Sequence, residues 1–403
     1  MNIIDELRER GYLEQVMFEE SLKKLVDKEK ITFYLGIDPT ADSLHIGHFI
    51  PMMVISHLQK AGHKPIILLG AGTAVVGDPS DRNDMRQMMS EEQLAHNASS
   101  IKKQIEKFAS FEGENGAILL NNADWLKELN LLKYMREIGV HFNVNKMLAA
   151  DCYKTRLKSG LTFFEMSYMT LQAYDFKYLH DKYNCKLQIG GNDQWSNVIA
   201  GADLIRKTEK EEAYAIGIKL LTKSDGTKMG KTMGGALWLD KDKISPYEFY
   251  QYFINVDDED VETILRMLTF LPLDEIKELV SVEGSELNEA KRVAAFEITK
   301  LIHGEEEALK AQEASEALFG EGYSLEGMPE IEGNIGDNLL DLSIKARFGD
   351  SRGQIKTLIK QGGLSLNDNI VDDLNYIITE EDFENNIAII KKGKKIYCKI
   401  IRK

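Results

Sequence analysis

The chain has 403 residues, 43% hydrophobic and 29% charged, with thirty-one glycines and seven prolines. That composition excludes disorder or fibre as the main state and leaves length for two or three domains. No apolar run reaches the roughly 18 to 20 residues of a membrane-spanning helix, and residues 1–10 form an acidic amphipathic stretch unlike a basic, apolar secretion signal, so a cytoplasmic protein with no membrane partner is expected. The three cysteines, Cys152, Cys185 and Cys398, are far apart and odd in number. Neither a disulfide framework nor a thiolate metal cluster is suggested, and no tightly bound metal is expected.

The net charge of -15 argues, as an average, against a polyanionic partner. The distribution is uneven. Residues 340–403 carry twelve Lys and Arg against nine Asp and Glu, a net of +3, which leaves -18 on residues 1–339.

In chain order, the pattern predicts a strand over 31–37, a helix from about 44, a strand over 65–69 and a helix over 90–108. Then follow a helix over 163–183, a strand over 185–189, a helix over 193–206 and a strand over 215–221. Strands alternating with helices point to a parallel sheet covered on both faces, with ligands at the carboxyl ends of its strands. Residues 245–318 read as nearly all helical, over 246–253, 259–268, 273–280, 287–303 and 305–318. Residues 320–337 contain five glycines, are acidic and lack periodicity, so they read as a linker to the basic tail.

Three constellations carry chemistry. The first strand runs into Asp38, Pro39 and Thr40, and then into His45-Ile46-Gly47-His48 at a helix start. Free backbone N–H groups and the helix dipole favour an anion there, and Gly47 lets a flat ring or phosphate approach the backbone. The same residues also suit a helix capped by Ser43 with histidines facing solvent; a metal pair is a third reading, without further ligands at recognisable spacing. The second constellation, Gly226 to Thr232, is a glycine-flanked loop with Lys228 and Lys231 after an apolar strand. It misses the P-loop spacing, because Asp225 stands five positions before Gly230; Gly70, Gly72 and Gly77 likewise miss the dinucleotide fingerprint. The loop suits either closure over phosphate charge or a solvated hairpin turn. In the third, Tyr168, Gln172 and Asp175 form a polar stripe on an otherwise apolar helix. It is either the exposed face of an amphipathic helix or a set of buried groups that require partners.

Together these segments resemble the bacterial-type tyrosyl-tRNA synthetases, over essentially the whole chain. His45 to His48 matches the HIGH signature of class I synthetases, Lys228-Met229-Gly230-Lys231-Thr232 a variant KMSKS loop, and Gln188 to Trp195 lies between them in the family order. The resemblance implies an α/β fold: a Rossmann-like parallel-sheet catalytic domain, then an all-helical domain and a small α+β RNA-binding domain. The boundaries expected are 1–220 for the catalytic domain, 221–244 for the lysine loop and connection, 245–319 for the helical anticodon-region domain, 320–339 for the linker and 340–403 for the RNA-binding domain.

It also implies roles. Tyr34 and Asp175 would hold the phenolic hydroxyl of tyrosine, with Asn122 behind Asp175, while Asp78, Tyr168, Gln172 and Gln188 would surround the ammonium group. Asp38 and Asp193 would meet the ammonium or ribose, Gln194 the reacting carboxylate region and His48 the ribose, with Gly36 and Gly47 leaving room for the nucleotide. Thr40, His45, Arg82, Arg86, Lys228, Lys231 and Thr232 would surround the phosphates. Leu35 stands where relatives often have a small polar residue, and Arg82 where a lysine is frequent. The implied substrates are L-tyrosine, ATP with Mg2+, and tRNA(Tyr). A homodimer with its interface near residues 125–165 is also implied.

The tail resembles the RNA-binding module first described in a small-subunit ribosomal protein. Arg352, Lys356 and Lys360 recur every four residues and would make one basic helix face, and Lys391, Lys392, Lys394 and Lys395 flank Gly393 in an apparent hairpin turn; a solvated charged turn is the alternative there. For the whole chain the alternatives are a tryptophanyl-tRNA synthetase, a nucleotidylyltransferase with its own HIGH-like motif, or a noncatalytic RNA-binding protein on a synthetase scaffold.

Overall fold

The computed structural model describes residues 1–78, 89–232, 235–317, 328–367, 369–393 and 396–403, without the side chains of Glu91, Thr155, Lys231, Thr232, Ala317 and Ile396. The chain divides into two units, Met1–Thr222 and Lys223–Lys403.

The first unit is built on a six-stranded sheet. Its strands are β1 (Leu13–Met17), β2 (Thr32–Ile37), β3 (Lys64–Leu69), β4 (Ile118–Asn121), β5 (Cys185–Gly191) and β6 (Tyr214–Ile218), in the order β1-β6-β5-β2-β3-β4. All neighbours are parallel except the antiparallel pair β1 and β6. The middle strands read as apolar runs because both faces are covered. Phe33, Ile66, Ile67 and Leu187 are fully buried, and every residue of β6 is buried.

The expected helices form at Ile46–Lys60, Glu91–Ile105, Phe163–Tyr183 and Trp195–Thr208. The last follows a short 3-10 turn, Asn192–Gln194, and so starts two residues later than its pattern suggests. Helix Phe163–Tyr183 begins with a capping box, Thr162 and Glu165 bonding reciprocally to each other's backbone, and ends at Asn184 in the left-handed conformation. Glu165 also meets Arg156 of helix Asp151–Ser159 at 2.9 Å, with both side chains buried. The guanidinium bonds onward to Ser159 and the Gly160 carbonyl. This pair fixes the start of the long helix.

In the second unit, five helices, Pro246–Ile254, Val261–Leu268, Leu273–Leu279, Leu287–His303 and Glu305–Ala317, follow the expected helical run. A short hairpin of β7 (Lys231–Thr232) and β8 (Gly235–Ala236) precedes them. The carboxyl-terminal part is a sheet of β9 (Glu330–Gly333), β10 (Leu364–Leu366), β11 (Asn369–Ile370), β12 (Ile387–Lys392) and β13 (Ile396–Arg402), ordered β11-β10-β12-β13-β9. Helices Leu339–Lys345 and Arg352–Lys360 share its core, which includes Leu342, Ile355, Ile359, Ile390 and Ile400.

The expected linker differs from the structure beyond its midpoint. Residues 318–327 lie outside the described residues, but Glu330–Gly333 is a strand, parallel to β13. Its acidic sequence reads as a linker because its partners are distant in the chain. Glu330 pairs with Lys399 at 2.8 Å, and Glu332 with Lys403 at 3.0 Å.

Breaking a buried ion pair leaves an uncompensated charge. Glu165→Ala is therefore expected to destabilise the first unit by about 3 to 5 kcal/mol in urea unfolding. A loss below about 1 kcal/mol would mean that water reaches Arg156.

Candidate active site

The site residues of the first unit gather at the carboxyl ends of four adjacent strands. Asp38 follows β2, Gly70 to Thr73 follow β3, Asn122 follows β4, and Asp193 and Gln194 follow β5. Thr73 Oγ1 donates to Asp38 Oδ1 at 3.1 Å and accepts from Asn122 Nδ2 at 3.0 Å. The Tyr168 hydroxyl donates to Asp38 Oδ2 at 3.0 Å. Gly70 permits this arrangement: a Cβ there would lie 2.1 Å from Asp38 Oδ1.

The far end of the network is Asp175, 2% exposed. Its Oδ2 accepts from Asn122 at 2.9 Å and its Oδ1 from the Trp125 indole N–H at 2.7 Å. Burial pushes its carboxyl up to about 7, against the opposing pull of those two donors. Tyr34 sits on the central strand in register with Gln188 and packs its ring against Phe176, centroids 5.2 Å apart. Tyr34 Oη, Gln172 Oε1 and Gln188 Oε1 are buried without a hydrogen-bond partner among the described residues. Buried polar atoms of native proteins are nearly always bonded, so three orphans around one helix and two neighbouring strands mark a place for a polar ligand. The stripe of Tyr168, Gln172 and Asp175 is thus not the exposed face of an amphipathic helix. Gly36 is exposed at the end of β2, and a Cβ there would meet nothing within 4 Å.

His45, and not Ser43, is the N-cap of helix Ile46–Lys60. Its Nδ1 accepts from the Gly47 N–H at 3.0 Å, while His48 Nδ1 accepts from the His45 N–H at 3.3 Å. Ser43 is buried and bonds instead to Leu44 O and Gln104. The two rings stand 4.1 Å apart. A Cβ on Gly47 would come within 2.8 Å of the His45 ring. Burial lowers the His45 pKa, and burial with the neighbouring His45 lowers that of His48 to about 3. Both rings are neutral near pH 7. Burial therefore favours the neutral, hydrogen-bonding form of the His45 ring in the ligand-free protein.

Gln194 Nε2 donates to Asp78 at 2.5 Å and to Asp193 at 3.3 Å, and its Oε1 accepts from Asn197 at 3.0 Å. Thr40 is exposed after β2. Arg82 and Arg86 lie outside the described residues.

The lysine segment belongs to the second unit. The Asp225-Gly226 turn forms as its sequence suggests, with Asp225 Oδ1 accepting from the Thr227 N–H and hydroxyl and with Gly226 at φ +80°. Lys228 is exposed; Lys231 and Thr232 form β7, their side chains outside the described residues. In the tail, Lys356 and Lys360 are exposed on helix Arg352–Lys360, but Arg352 makes a two-pronged ion pair with Asp341, at 2.8 and 2.5 Å. The basic face is therefore narrower than the four-residue spacing implies. Lys391 and Lys392 end β12, before the turn: Lys391 lies over the Tyr397 ring, and Lys392 donates to Phe348 O at 2.7 Å. Lys394 and Lys395 lie outside the described residues.

Residues 26–320 match the family described as tRNA synthetases class I (W and Y), and residues 322–400 the tyrosine–tRNA ligase SYY-like C-terminal domain. The tyrosine–tRNA ligase of Clostridium perfringens (strain 13 / Type A) is 56% identical over 403 residues, covering 99% of each chain. The chain belongs to the tyrosyl-tRNA synthetase family. The enzyme of Clostridium tetani (strain Massachusetts / E88) is 55% identical, again over 99% of each chain. A C-terminally truncated mitochondrial tyrosyl-tRNA synthetase of Aspergillus nidulans superposes with a TM-score of 0.70 at 29% identity, covering 77% of this chain and 92% of its own. The first family description spans tryptophan and tyrosine enzymes; the second match and the full-length identity decide for tyrosine. Tyrosyl-tRNA synthetases are ATP-dependent ligases, so ATP is a substrate. Among the described residues no helix is long and apolar enough to cross a membrane.

Sequence reasoning missed Thr73 and Trp125. Thr73 lies in the glycine-rich turn that fails the dinucleotide fingerprint, and Trp125 in a four-residue helix too short to show periodicity. A carboxyl whose pKa is raised to about 7 is protonated below that pH and ionised above it. The Trp125 Nε1–H resonance, bonded to that carboxyl, is expected to titrate with a midpoint near 7 in the ligand-free protein. An indole resonance that stays flat from about pH 5.5 to 8.5 would contradict the assigned environment.

Proposed function

We infer that this protein is a tyrosine–tRNA ligase that activates L-tyrosine with ATP to tyrosyl-adenylate and pyrophosphate, and then transfers the tyrosyl group to the 3′ end of tRNA(Tyr). The orphaned Tyr34 hydroxyl beside the buried Asp175 is the observation that carries this reading. In this reading the phenol of tyrosine lies with them, its O–H donating to Asp175 and its oxygen accepting from Tyr34. Phenylalanine would leave both buried groups unmatched, an asymmetry for which tyrosyl-tRNA synthetases are themselves the standard example. Gln172 and Gln188 supply acceptors for an ammonium group, and Asp78 and Tyr168 flank them in this reading, with Asn122 holding Asp175 in place.

The carboxylate of tyrosine attacks the α-phosphorus; the bond to the pyrophosphate oxygen breaks, and charge accumulates on the phosphoryl oxygens. No covalent nucleophile is required, so the protein's task is to hold donors and cations where that charge appears. Thr40, His45, Lys228, Lys231, Thr232, Arg82 and Arg86 take that role, His45 as a neutral donor. Asp38, Asp193, Gln194 and His48 serve the ammonium, carboxylate and ribose groups, and Gly36 and Gly47 admit the nucleotide. Mg2+ arrives with ATP as part of the substrate and shares the phosphate charge.

The helices of residues 245–319 and the module of residues 340–403 serve tRNA. Exposed Lys356 and Lys360 support that assignment, and Lys391, Lys392, Lys394 and Lys395 are assigned to it from the sequence. We further infer a homodimer. Leu131, Leu132, Val140, Val144, Leu157 and Phe163 are all at least 45% exposed, within the 125–165 stretch expected to be the interface, and so many exposed large apolar side chains in one stretch suit a partner surface. A cytoplasmic site of action follows from the proposed role in translation.

Asp175→Ala is expected to abolish tyrosine-dependent ATP–pyrophosphate exchange; wild-type exchange in that variant would overturn the phenol assignment. Removing the residues after Asp337 is expected to leave exchange within about twofold of the full chain while reducing tRNA charging by at least about a hundredfold. Undiminished charging would assign tRNA binding elsewhere.

A further inference from the structure

The lysine segment is held from one side by its own unit. At its start, the Ser224 N–H donates to Asp260 Oδ1 at 2.7 Å, a carboxylate only 3% exposed. Backbone bonds between Lys223 and Thr227, at 2.8 Å, and between Gly226 and Lys223, at 2.9 Å, close the turn. At its end, the Gly230 N–H donates to the Tyr252 hydroxyl at 2.8 Å, and Gly230 O accepts from the Leu237 N–H at 2.8 Å. Between these points, Met229 is buried and Lys228 is exposed. A polar cleft of about 530 Å³, lined by Ser224, Asp225, Asn255, Asp257, Asp258 and Lys291, borders the start of the segment. Specific hydrogen bonds, more than close packing, hold the backbone on that side.

Tyr252 is suited to the task. It sits on helix Pro246–Ile254, which has Pro246 in its first turn and a capping box of Ser245 and Glu248. Its ring packs edge-on against Phe253, centroids 5.2 Å apart, and burial raises its pKa, so the phenol stays protonated. The N–H that it accepts belongs to the residue directly before Lys231 and two after Lys228. Gly230 has φ +85°, a conformation that side-chain-bearing residues rarely adopt. A hydrogen bond at this peptide fixes the point about which both lysines are arranged.

We propose that the Tyr252 hydroxyl is the positioning group of the lysine loop: by holding the Gly230 peptide, it sets where the two ammonium groups can meet the triphosphate. This inference rests on the reading of Lys228 and Lys231 as phosphate-binding groups. Tyr252 acts through the loop backbone and touches no substrate. Catalysis by preplaced charge is sensitive to displacements of an ångström, so loss of the latch lowers the rate of adenylate formation and leaves tyrosine binding alone.

The test compares Tyr252→Phe, Lys228→Ala and the double variant in the full-length protein. For Tyr252→Phe we expect kcat of tyrosine-dependent ATP–pyrophosphate exchange to fall about tenfold, with KM for tyrosine within about twofold. Limited tryptic cleavage within the loop should accelerate, while the thermal unfolding of the protein should not shift. In the Lys228→Ala background the same substitution should cost clearly less than it does in the wild type, because part of its effect runs through that lysine's placement. Unchanged or increased kcat, unaltered loop cleavage, or fully additive losses would each overturn the proposal. Wild-type exchange in Lys228→Ala would instead bring down the reading of the loop itself, and this proposal with it.

Discussion

A carboxylate taken out of water has to be matched on both oxygens, and in the first unit Asp175 sets that requirement. Its two donors come from one short segment, Asn122 and Trp125. The Asn122 carbonyl accepts from the Gly72 N–H at 2.7 Å, which fixes which end of the amide points at Asp175. Its amide also reaches Thr73, Thr73 reaches Asp38, and Asp38 accepts from Tyr168, which returns the chain of bonds to the helix that carries Asp175. The loop of contacts closes on itself. Strand ends that are far apart in sequence are thereby held at one spacing, and the atoms left over, on Tyr34, Gln172 and Gln188, face the same region.

Helix Phe163–Tyr183 joins this network to the unit's apolar surface. Its first turn displays Phe163 and Phe164, 67% and 42% exposed, whereas Tyr168 and Asp175, one and three turns on, are buried. Glu165 lies between those regions, tied to Arg156. The ligand-facing residues sit on an element whose origin is fixed by a desolvated ion pair.

Much of this was legible in the sequence wherever a side chain's chemistry and a regular period coincide. Helices Phe163–Tyr183 and Leu287–His303 have the bounds that their patterns give, and the apolar runs of β2, β3 and β5 announce a sheet covered on both faces. The edge strand β1 and the short β4 were not read, because four or five residues carry too little periodicity and β1 pairs antiparallel with a strand almost two hundred positions away. The acidic Glu330–Gly333 passed for linker for the same reason. At the site, residue types suggested Asp175 and the two histidines, but not their states. Burial lowers the pKa of both imidazoles, and Arg352 is paired with Asp341; both depend on neighbours that only the fold supplies.

These local effects bear on how an acidic chain handles polyanions. With -18 on residues 1–339, the long-range field over most of the protein repels phosphate, and screening over about 8 Å at physiological salt confines useful attraction to short range. Neutral histidines at a helix start suit that setting. They offer directional hydrogen-bonding groups without adding charge that burial would penalise. Positive charge is instead carried by the lysine segment and by the carboxyl-terminal module. Placement then matters more than charge count, because a screened ammonium contributes only where its backbone puts it. On the proposed reading of the lysine segment, its backbone contacts therefore matter more for phosphate chemistry than the number of its cations.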